Sequence, residues 1–594
     1  MTIVFKSHGG KETAAQPVAA TNRMGLAPTG GDIAVDEQAD FGFFLPPLDA
    51  PENYLPAAQA TVDDLDELGN RMIDAGVESP SGDSTLPPVF TYWGQFLDHE
   101  LTLRTDREGG ITNMASPHPP QSSSIVEKQL RNARTPRFDL DSVYGGSPFG
   151  EGVSADVVSV ISGMRHPTLH NKMRVGTAIG PSELPDALDE HRDLPRYTQV
   201  QQAVLDAATR LAQASLPAAD AQAFLEKLPQ RALIGDARND ENLIVAQFHL
   251  SFLRFHNKVV DYLAGHQTGW IPDFGSAQML TRLHYQWLIV EGYLKGVCNP
   301  TVVDAVVADR ASHFFRFRAE YDGRHTGTRL GNAMPLEFSA AAYRFGHSMV
   351  RGAYDYNRSF GRGTPPTNII PAASLDLLFG FTGGGGRLDT DKRLPHNWVI
   401  DWSRFLGTNP HDSADGQPSR QARKIDTGLA PPLGKMVKEG NDAGLTQQLK
   451  DLFKNLARRN LRRGYNLRLP TGQALHAYLK GHGAVQSGPI ADVSTVFAIG
   501  KPALAAFLLG SGSGLHQRTP LWFYILAEAE ADGGNRLGEL GSWLVASTFV
   551  GVLLADPDSA LSRGFTPQQS PLRMPDNSTI DSIVKWMKFA AVMQ

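Results

Sequence analysis

The feature that most restricts how this chain can fold is an apolar periodicity of about 3.6 residues. It recurs from residue 61 to residue 554, with scarcely any strand-like alternation. It is plainest in "DENLIVAQFHLSFLRFHNKVVDYLA" (240–264) and returns over 61–74, 197–215, 275–296, 335–350, 444–461, 472–480 and 536–554. Each such segment has an apolar face to bury against another helix, so the expected fold is mainly α with little β. Thr61 is the expected cap of the first helix, and the acids after it complement the helix dipole. "SPSGDSTLPP" (79–88), "TGGGGRLDTDKRLP" (382–395) and "GTNPHDSADGQPSRQ" (407–421) have the composition of loops. Residues 1–60 are rich in Gly, Ala, Pro and Thr and read as an extended N-terminal arm. Residues 61–560 then form one large helical domain, with 561–594 as a C-terminal extension packed on it.

Composition removes several classes of function. A net charge of −6 gives no electrostatic case for nucleic acid or an acidic membrane surface. Cys298 is the only cysteine, which excludes an intramolecular disulfide framework. The longest apolar run, "SWLVASTFVGVLLA" (542–555), is shorter than the ~20 residues of a membrane span and is expected to be a buried helix. The N-terminus lacks the apolar core of a cleaved secretory signal, so the expected location is cytoplasmic, or outside by a route that uses no such signal.

Four short stretches carry chemistry-bearing residues. In "YWGQFLDHE" (92–100), Gln95 and His99 are four apart and share a helix face, with Asp98 and Glu100 beside the histidine. In "TPRFDLDSVYGG" (135–146), Thr135, Arg137, Asp139 and Asp141 alternate and would point one way in an extended segment. Side-chain oxygens of Thr135, Asp139 and Asp141, with the Arg137 carbonyl, suit a hard cation such as Ca²⁺; an acidic turn is the other reading. In "GDARNDE" (235–241), Arg238 and Glu241 are three apart, which by itself could be a surface ion pair worth about a few tenths of a kcal/mol. In "YRFGHSMVRG" (343–352), Arg344 and His347 are three apart and Gly346 leaves room beside the histidine for a flat group. Asn460, in "NLARRNLRRG" (455–464), could accept from the second nitrogen of that histidine, as an axial haem ligand requires.

Taken in order, these stretches resemble the peroxidase–cyclooxygenase superfamily, the animal-type haem peroxidases, and a bacterial member in particular. The resemblance runs through residues 85–480 and toward 560. It implies a single helical haem peroxidase domain that reduces H₂O₂ through a high-valent iron-oxo state while oxidising small organic donors or halide and pseudohalide ions. Gln95 and His99 would lie on the distal side of haem b, with Arg238 as the catalytic arginine. His347 would bind the iron, with Asn460 as its partner, and Arg344 and Arg463 would pair haem propionates. Glu100, Thr135, Arg137, Asp139 and Asp141 would form the calcium site. Asp98 and Glu241 stand where family members form ester bonds to haem methyl groups. Asn242 stands where a related enzyme has the methionine of a sulfonium link, so that third link is not expected.

The resemblance has departures. Glu100 replaces the usual aspartate, and "RRGYNLRLP" (462–470) keeps Arg463 but lacks the acid and histidine that commonly follow. The fatty-acid dioxygenase branch of the superfamily works through a tyrosyl radical on a Tyr-x-Trp stretch. The stretch compared with it, "HNWVIDWSRF" (396–405), has Ile400 two before Trp402, which favours peroxidase chemistry. A non-catalytic haem-binding or interaction protein is the remaining alternative, and the joint presence of His99, Arg238 and His347 argues against it.

Overall fold

The computed structural model describes residues 39–45, 48, 50–76, 80–106, 120–132, 134–146, 154–179, 189–216, 218–325, 332–357, 359–360, 373–408, 420–437, 439–440 and 446–593. Periodicity becomes packing from the first helix onward. Helix α1 (Gln59–Arg71) buries Val62, Leu65 and Leu68 and lies along the helix Leu456–Asn466. Its N-cap is Ala58, three residues before the expected Thr61. Thr61 therefore falls inside the first turn, where its hydroxyl donates to the Pro56 carbonyl at 2.7 Å and does not cap.

Helix α2 (Val89–Leu101) buries Val89, Tyr92, Trp93, Phe96, Leu97 and Leu101, one helical stripe of large apolar groups. Glu100 falls on that same stripe and is wholly buried, a carboxylate where the pattern calls for an apolar side chain. The long helix Leu243–Gly265 packs across this stripe: Phe252 stacks on Phe96 at 4.6 Å and Phe248 meets it edge-on at 5.5 Å. Its start is set by Asn242, whose side chain accepts from the Val245 N–H at 2.9 Å.

Four expected helices are interrupted. The 197–215 segment is a 3₁₀ turn, Tyr197–Gln199, then a helix, Gln202–Ser215, because Val200 and Gln201 are extended. The 335–350 segment is a short helix, Leu336–Ala340, then a 3₁₀ turn, Ala342–His347, because Ala341 leaves helical geometry at φ −132°, ψ −71°. The tighter 3₁₀ winding eclipses residues three apart, so Arg344 and His347 point the same way without an α-helix. The 444–461 segment is two helices, Gln447–Lys454 and Leu456–Asn466, parted at Asn455, which caps the second by accepting from Arg458 N–H at 3.0 Å. The 275–296 segment runs as Phe274–Leu288 and then widens into a π turn, Ile289–Leu294, that carries Tyr293.

Among the described residues the little β structure is a sheet of short strands, β1 (Ala39–Gly42), β2 (Arg104–Asp106), β3 (Leu130–Asn132) and β4 (Met334–Pro335), in the order β2-β3-β1-β4, and a separate antiparallel pair, Ala353–Tyr354 with Ala373–Ser374. β1 runs antiparallel to β3 and parallel to β4. Beyond it, Phe44 N–H donates to Glu337 at 2.7 Å, tying this segment to the core. Residues 1–38 of the expected arm, and 409–419 of the expected 407–421 loop, lie outside the described residues. Near the other end, the helix Ile583–Phe589 packs on Leu243–Gly265 with Trp586 stacked on Phe255 at 3.6 Å. The apolar run 542–555 lies in the buried helix Glu539–Ala555, and among the described residues no helix is long and apolar enough to cross a membrane.

Candidate functional site

A second stripe of α2, a few residues round from the buried one, faces a cavity. Thr91, Gln95 and Asp98 line it, with Thr102 just beyond the helix and Arg238 beside them. The 342–347 turn supplies Tyr343, Arg344, Phe345, Gly346 and His347 to the same cavity, and the 456–466 helix supplies Arg459, Asn460 and Arg463. A Cβ added at Gly346 would meet nothing within 4 Å, so the glycine keeps open space next to the histidine. Gly94 does the opposite: a Cβ there would fall 2.4 Å from the Tyr293 hydroxyl, and its absence lets α2 come down onto the π turn.

His99 is wholly buried, one residue round the helix from Asp98. Its Nδ1 lies 2.7 Å from Asn239 Oδ1, and Asn239 Nδ2 lies 3.0 Å from His249 Nδ1. Burial pushes the His249 imidazole down to about 3, so that ring is neutral and its Nδ1 accepts from the amide. The amide oxygen is then left to accept from His99, which puts the His99 proton on Nδ1 and leaves Nε2 as a base. That nitrogen is 4.0 Å from Glu241 Oε1. Glu241 also accepts from Gln95 Nε2 at 2.5 Å, and Asn242 Nδ2 donates to Gln95 Oε1 at 2.8 Å. Asn242 therefore caps a helix and fixes the Gln95 amide, a role the sequence did not show.

Arg238 does not pair with Glu241 as the three-residue spacing suggested. Its Nη2 donates to Asp236 Oδ2 at 2.7 Å and to the His99 carbonyl at 2.8 Å, and its Nη1 donates to the Thr102 carbonyl at 2.8 Å. The reason is local: residues 237–240 form a 3₁₀ turn capped by Asp236, which brings that acid to the arginine. Although burial alone would raise it, Arg238 and Arg134 hold the Asp236 carboxyl down to about 2. Asp98 accepts from the Thr102 hydroxyl at 2.8 Å on the cavity wall.

His347 and Asn460 meet as expected, at 2.8 Å between Nδ1 and Nδ2, but with the amide reversed. Arg344 Nη1 donates to Asn460 Oδ1 at 3.0 Å, so the amide turns its NH₂ to the histidine and does not accept from it. Iron ligation through Nε2 needs the proton on Nδ1 and a carbonyl oxygen facing it, which the same amide supplies when turned over. Trp522 steadies the turn, donating from Nε1 to the Arg344 carbonyl at 3.2 Å.

Behind α2, Glu100, Asp139 and Asp141 bring carboxylate oxygens within 4.8 Å of one another. Glu100 accepts from the backbone N–H of Leu140 at 2.9 Å and of Ser142 at 3.2 Å. The expected alternation does not reach Asp141: Leu140 is left-handed at φ 61° and Asp141 opens a helical turn, while the Arg137 side chain is exposed and Thr135 is buried. Gly235 allows the arginine segment to approach this turn, since a Cβ there would lie 2.1 Å from the Asp141 carbonyl. Burial, and then Asp141, push the Glu100 carboxyl up to about 8 against the pull of Arg134. Such crowding of acids fits a hard divalent cation.

A testable consequence follows for cation-free protein. Between about 4.5 and about 8 the unfolded chain has released the Glu100 proton while the folded chain still holds it. Stability from this group is therefore present at low pH and is lost as pH rises through that window. Urea melts at a series of pH values in a chelator should show the decline, and Glu100→Gln should flatten it.

A sequence model of the animal haem peroxidase family matches residues 196–374, the span that holds Arg238, Glu241 and His347. That segment is similar to animal haem peroxidases. Among curated proteins it is 26% identical over 309 residues to a peroxidase-like protein of Margaritifera margaritifera, covering 51% of this chain and 36% of that one. The chain thus spans about a third of that relative's length. Among solved structures, peroxidase A of Dictyostelium discoideum is 14% identical with a TM-score of 0.54, covering 98% of both chains. A fatty acid alpha-dioxygenase of Oryza sativa is 11% identical with a TM-score of 0.51, covering 98% of this chain and 85% of that one. At these identities the likeness is one of fold.

The matching family implies haem, and the cavity has features that suit one. It has an open wall at Gly346, a histidine whose Nδ1 has a carboxamide partner, and a floor of arginines. Arg344, Arg459 and Arg463 all line the cavity; Arg344 donates to Asn460, and Arg459 lies 3.8 Å from Glu439. The 396–405 stretch compared with the dioxygenase tyrosine is not among the lining residues. Tyrosines do line the cavity elsewhere, at Tyr343 and Tyr293, with hydroxyls 3.1 Å apart.

Proposed function

We propose that the chain is a haem-dependent peroxidase that reduces hydrogen peroxide and oxidises small organic donors or halide and pseudohalide ions. The reading is carried by one cavity lined by Gln95, Asp98, Arg238 and His347; His99, next to Asp98 in the chain, is buried and not itself a lining residue, and its tautomer leaves Nε2 basic. The iron of a bound haem, held by His347, supplies the redox chemistry. His99 Nε2 takes a proton from H₂O₂ and returns it to the departing oxygen. Arg238, kept in place by Asp236 and two carbonyls, offers fixed positive charge to the developing anion. Gln95, clamped by Asn242 and Glu241, orients a water or halide. Arg459 and Arg463 pair the propionates. An absorbance scan for a Soret band, followed by guaiacol or ABTS turnover with H₂O₂, is the direct test; colourless protein from iron-replete cells would remove the reading.

Glu100, Asp139 and Asp141, with Thr135 and the Arg137 carbonyl, are proposed to hold Ca²⁺. Glu100 directly follows His99, so a cation there anchors the end of α2. Chelation is expected to lower turnover several-fold, by loosening the distal groups, before it lowers Tm by more than a few degrees. Unchanged turnover in metal-free protein would count against the site.

One observation favours a second reading, a fatty-acid dioxygenase. Tyr343 is four residues before His347, and its hydroxyl lies 3.1 Å from both the Gly94 carbonyl and the Tyr293 hydroxyl in the cavity. Oxygen uptake with palmitate or linoleate, abolished by Tyr343→Phe, would select it; peroxide-driven ABTS turnover that survives Tyr343→Phe would select the peroxidase.

A further inference from the structure

Arg134 belongs to no motif, yet it is wholly buried where the two distal elements meet. Its Nη2 ion-pairs with Asp141 and lies 3.7 Å from Glu100 Oε1, while its Nη1 lies 3.6 Å from Asp236 Oδ2. Asp236 holds Arg238 at 2.7 Å, and Arg238 in turn donates to the His99 carbonyl at 2.8 Å. A single guanidinium therefore stands between the acid cluster behind α2 and the arginine–carboxylate pair at the cavity. Its charge is divided unequally: it is hydrogen-bonded to Asp141, whereas the approach of Nη1 to Asp236 is longer than a hydrogen bond.

We infer that Arg134 is a positioning residue that transmits cation occupancy of the Glu100–Asp139–Asp141 cluster to Arg238 by way of Asp236. The inference rests on the calcium and Arg238 readings above. With the cluster empty of cation, Asp141 is the nearest charged compensation for the guanidinium and draws it toward itself. A divalent cation satisfies the carboxylates of the cluster and repels Arg134, whose charge is then balanced by Asp236. Asp236 becomes shared between two guanidiniums, its hold on Arg238 weakens, and the Arg238 N–H groups become available to an anion in the cavity. Charge passes along four side chains without any backbone displacement, as a coupling between two binding sites.

The test uses the full chain, Arg134→Met as a neutral variant of similar length, and Arg134→Lys as a variant that keeps the charge. Calcium affinity is read by calorimetry, and the affinity of the haem-loaded protein for cyanide is read from the Soret shift, each with and without calcium. In wild type, chelation is expected to weaken cyanide binding about tenfold, an ordinary size for site coupling. Arg134→Met should bind calcium about tenfold more tightly, having lost the competing cation, while its cyanide affinity becomes indifferent to calcium. Arg134→Lys should restore part of the response. A packing role alone predicts the reverse in calcium affinity, so an Arg134→Met protein that binds calcium more weakly, or keeps the wild-type cyanide response, overturns the inference. Absence of any calcium heat in wild type overturns it together with the calcium reading. If calcium binds but haem does not, the peroxidase reading fails by itself and the calcium affinity of Arg134→Met still decides.

Discussion

Replacing His99 by alanine is expected to lower kcat/KM for hydrogen peroxide by about 10²- to 10⁴-fold, the usual contribution of a positioned general base. The size of the loss follows from how completely the ring is committed. Nδ1 is tied to Asn239, and Asn239 is tied to a His249 that burial keeps neutral. Proton transfer therefore has one outlet, Nε2, and nothing else on the ring can substitute for it. The Soret band should persist, because His347 and Asn460 are untouched. Stopped-flow reduction of peroxide by haem-loaded protein separates the two effects. A His99→Ala enzyme within threefold of wild type would transfer the base role to Glu241, the carboxylate 4.0 Å away. Asn239→Leu gives an independent check: it spares the imidazole but frees its tautomer, and should lose a part of the same rate.

The second large effect is expected from His347→Ala: most of the haem should be lost on desalting, with the Soret band falling to a small fraction of wild type. His347 is the cavity-lining imidazole, its Nδ1 is engaged by Asn460, and Trp522 and Arg344 fix the turn that carries it. No neighbouring side chain of the turn offers an equivalent nitrogen. Ester links through Asp98 and Glu241 are proposed to retain a fraction of the haem even so. Mass spectrometry of the acid-denatured variant reads that fraction directly: haem released wholly as the free group excludes the links, and haem retained on the peptide containing Asp98 supports them. Wild-type Soret intensity in His347→Ala would remove His347 as the ligand.

The helices were legible because burial of one face imposes its period on the residues. Val89, Tyr92, Trp93, Phe96 and Leu97 announce α2, and 240–264 announces the helix that crosses it. What periodicity could not show is where a helix stops for tertiary reasons. Ala341 and Asn455 interrupt apolar patterns that run on unbroken through the sequence, since the pattern records which side is buried and not the backbone angle at one residue. Thr61 misled for the same reason: a threonine before acids looks like a cap until Pro56 offers its carbonyl to the hydroxyl.

The sequence by itself determined the mainly helical fold and the short list of residues from which a site could be built: Gln95, His99, Arg238, His347 and Asn460 stand in ordered stretches whose chemistry suits one cofactor. Tertiary structure alone decided how those residues are wired. Arg238 belongs to Asp236 and not to Glu241, Asn460 gives its carbonyl to Arg344, Asn239 sets the His99 tautomer, and Arg134 bridges the acid cluster to the cavity. Each of these is a contact between groups of opposite charge or complementary hydrogen-bonding capacity. Local spacing can propose a partner, but in a buried site the partner is whichever group the packing of helices brings within about 3 Å, because an unsatisfied polar group there is too costly to leave.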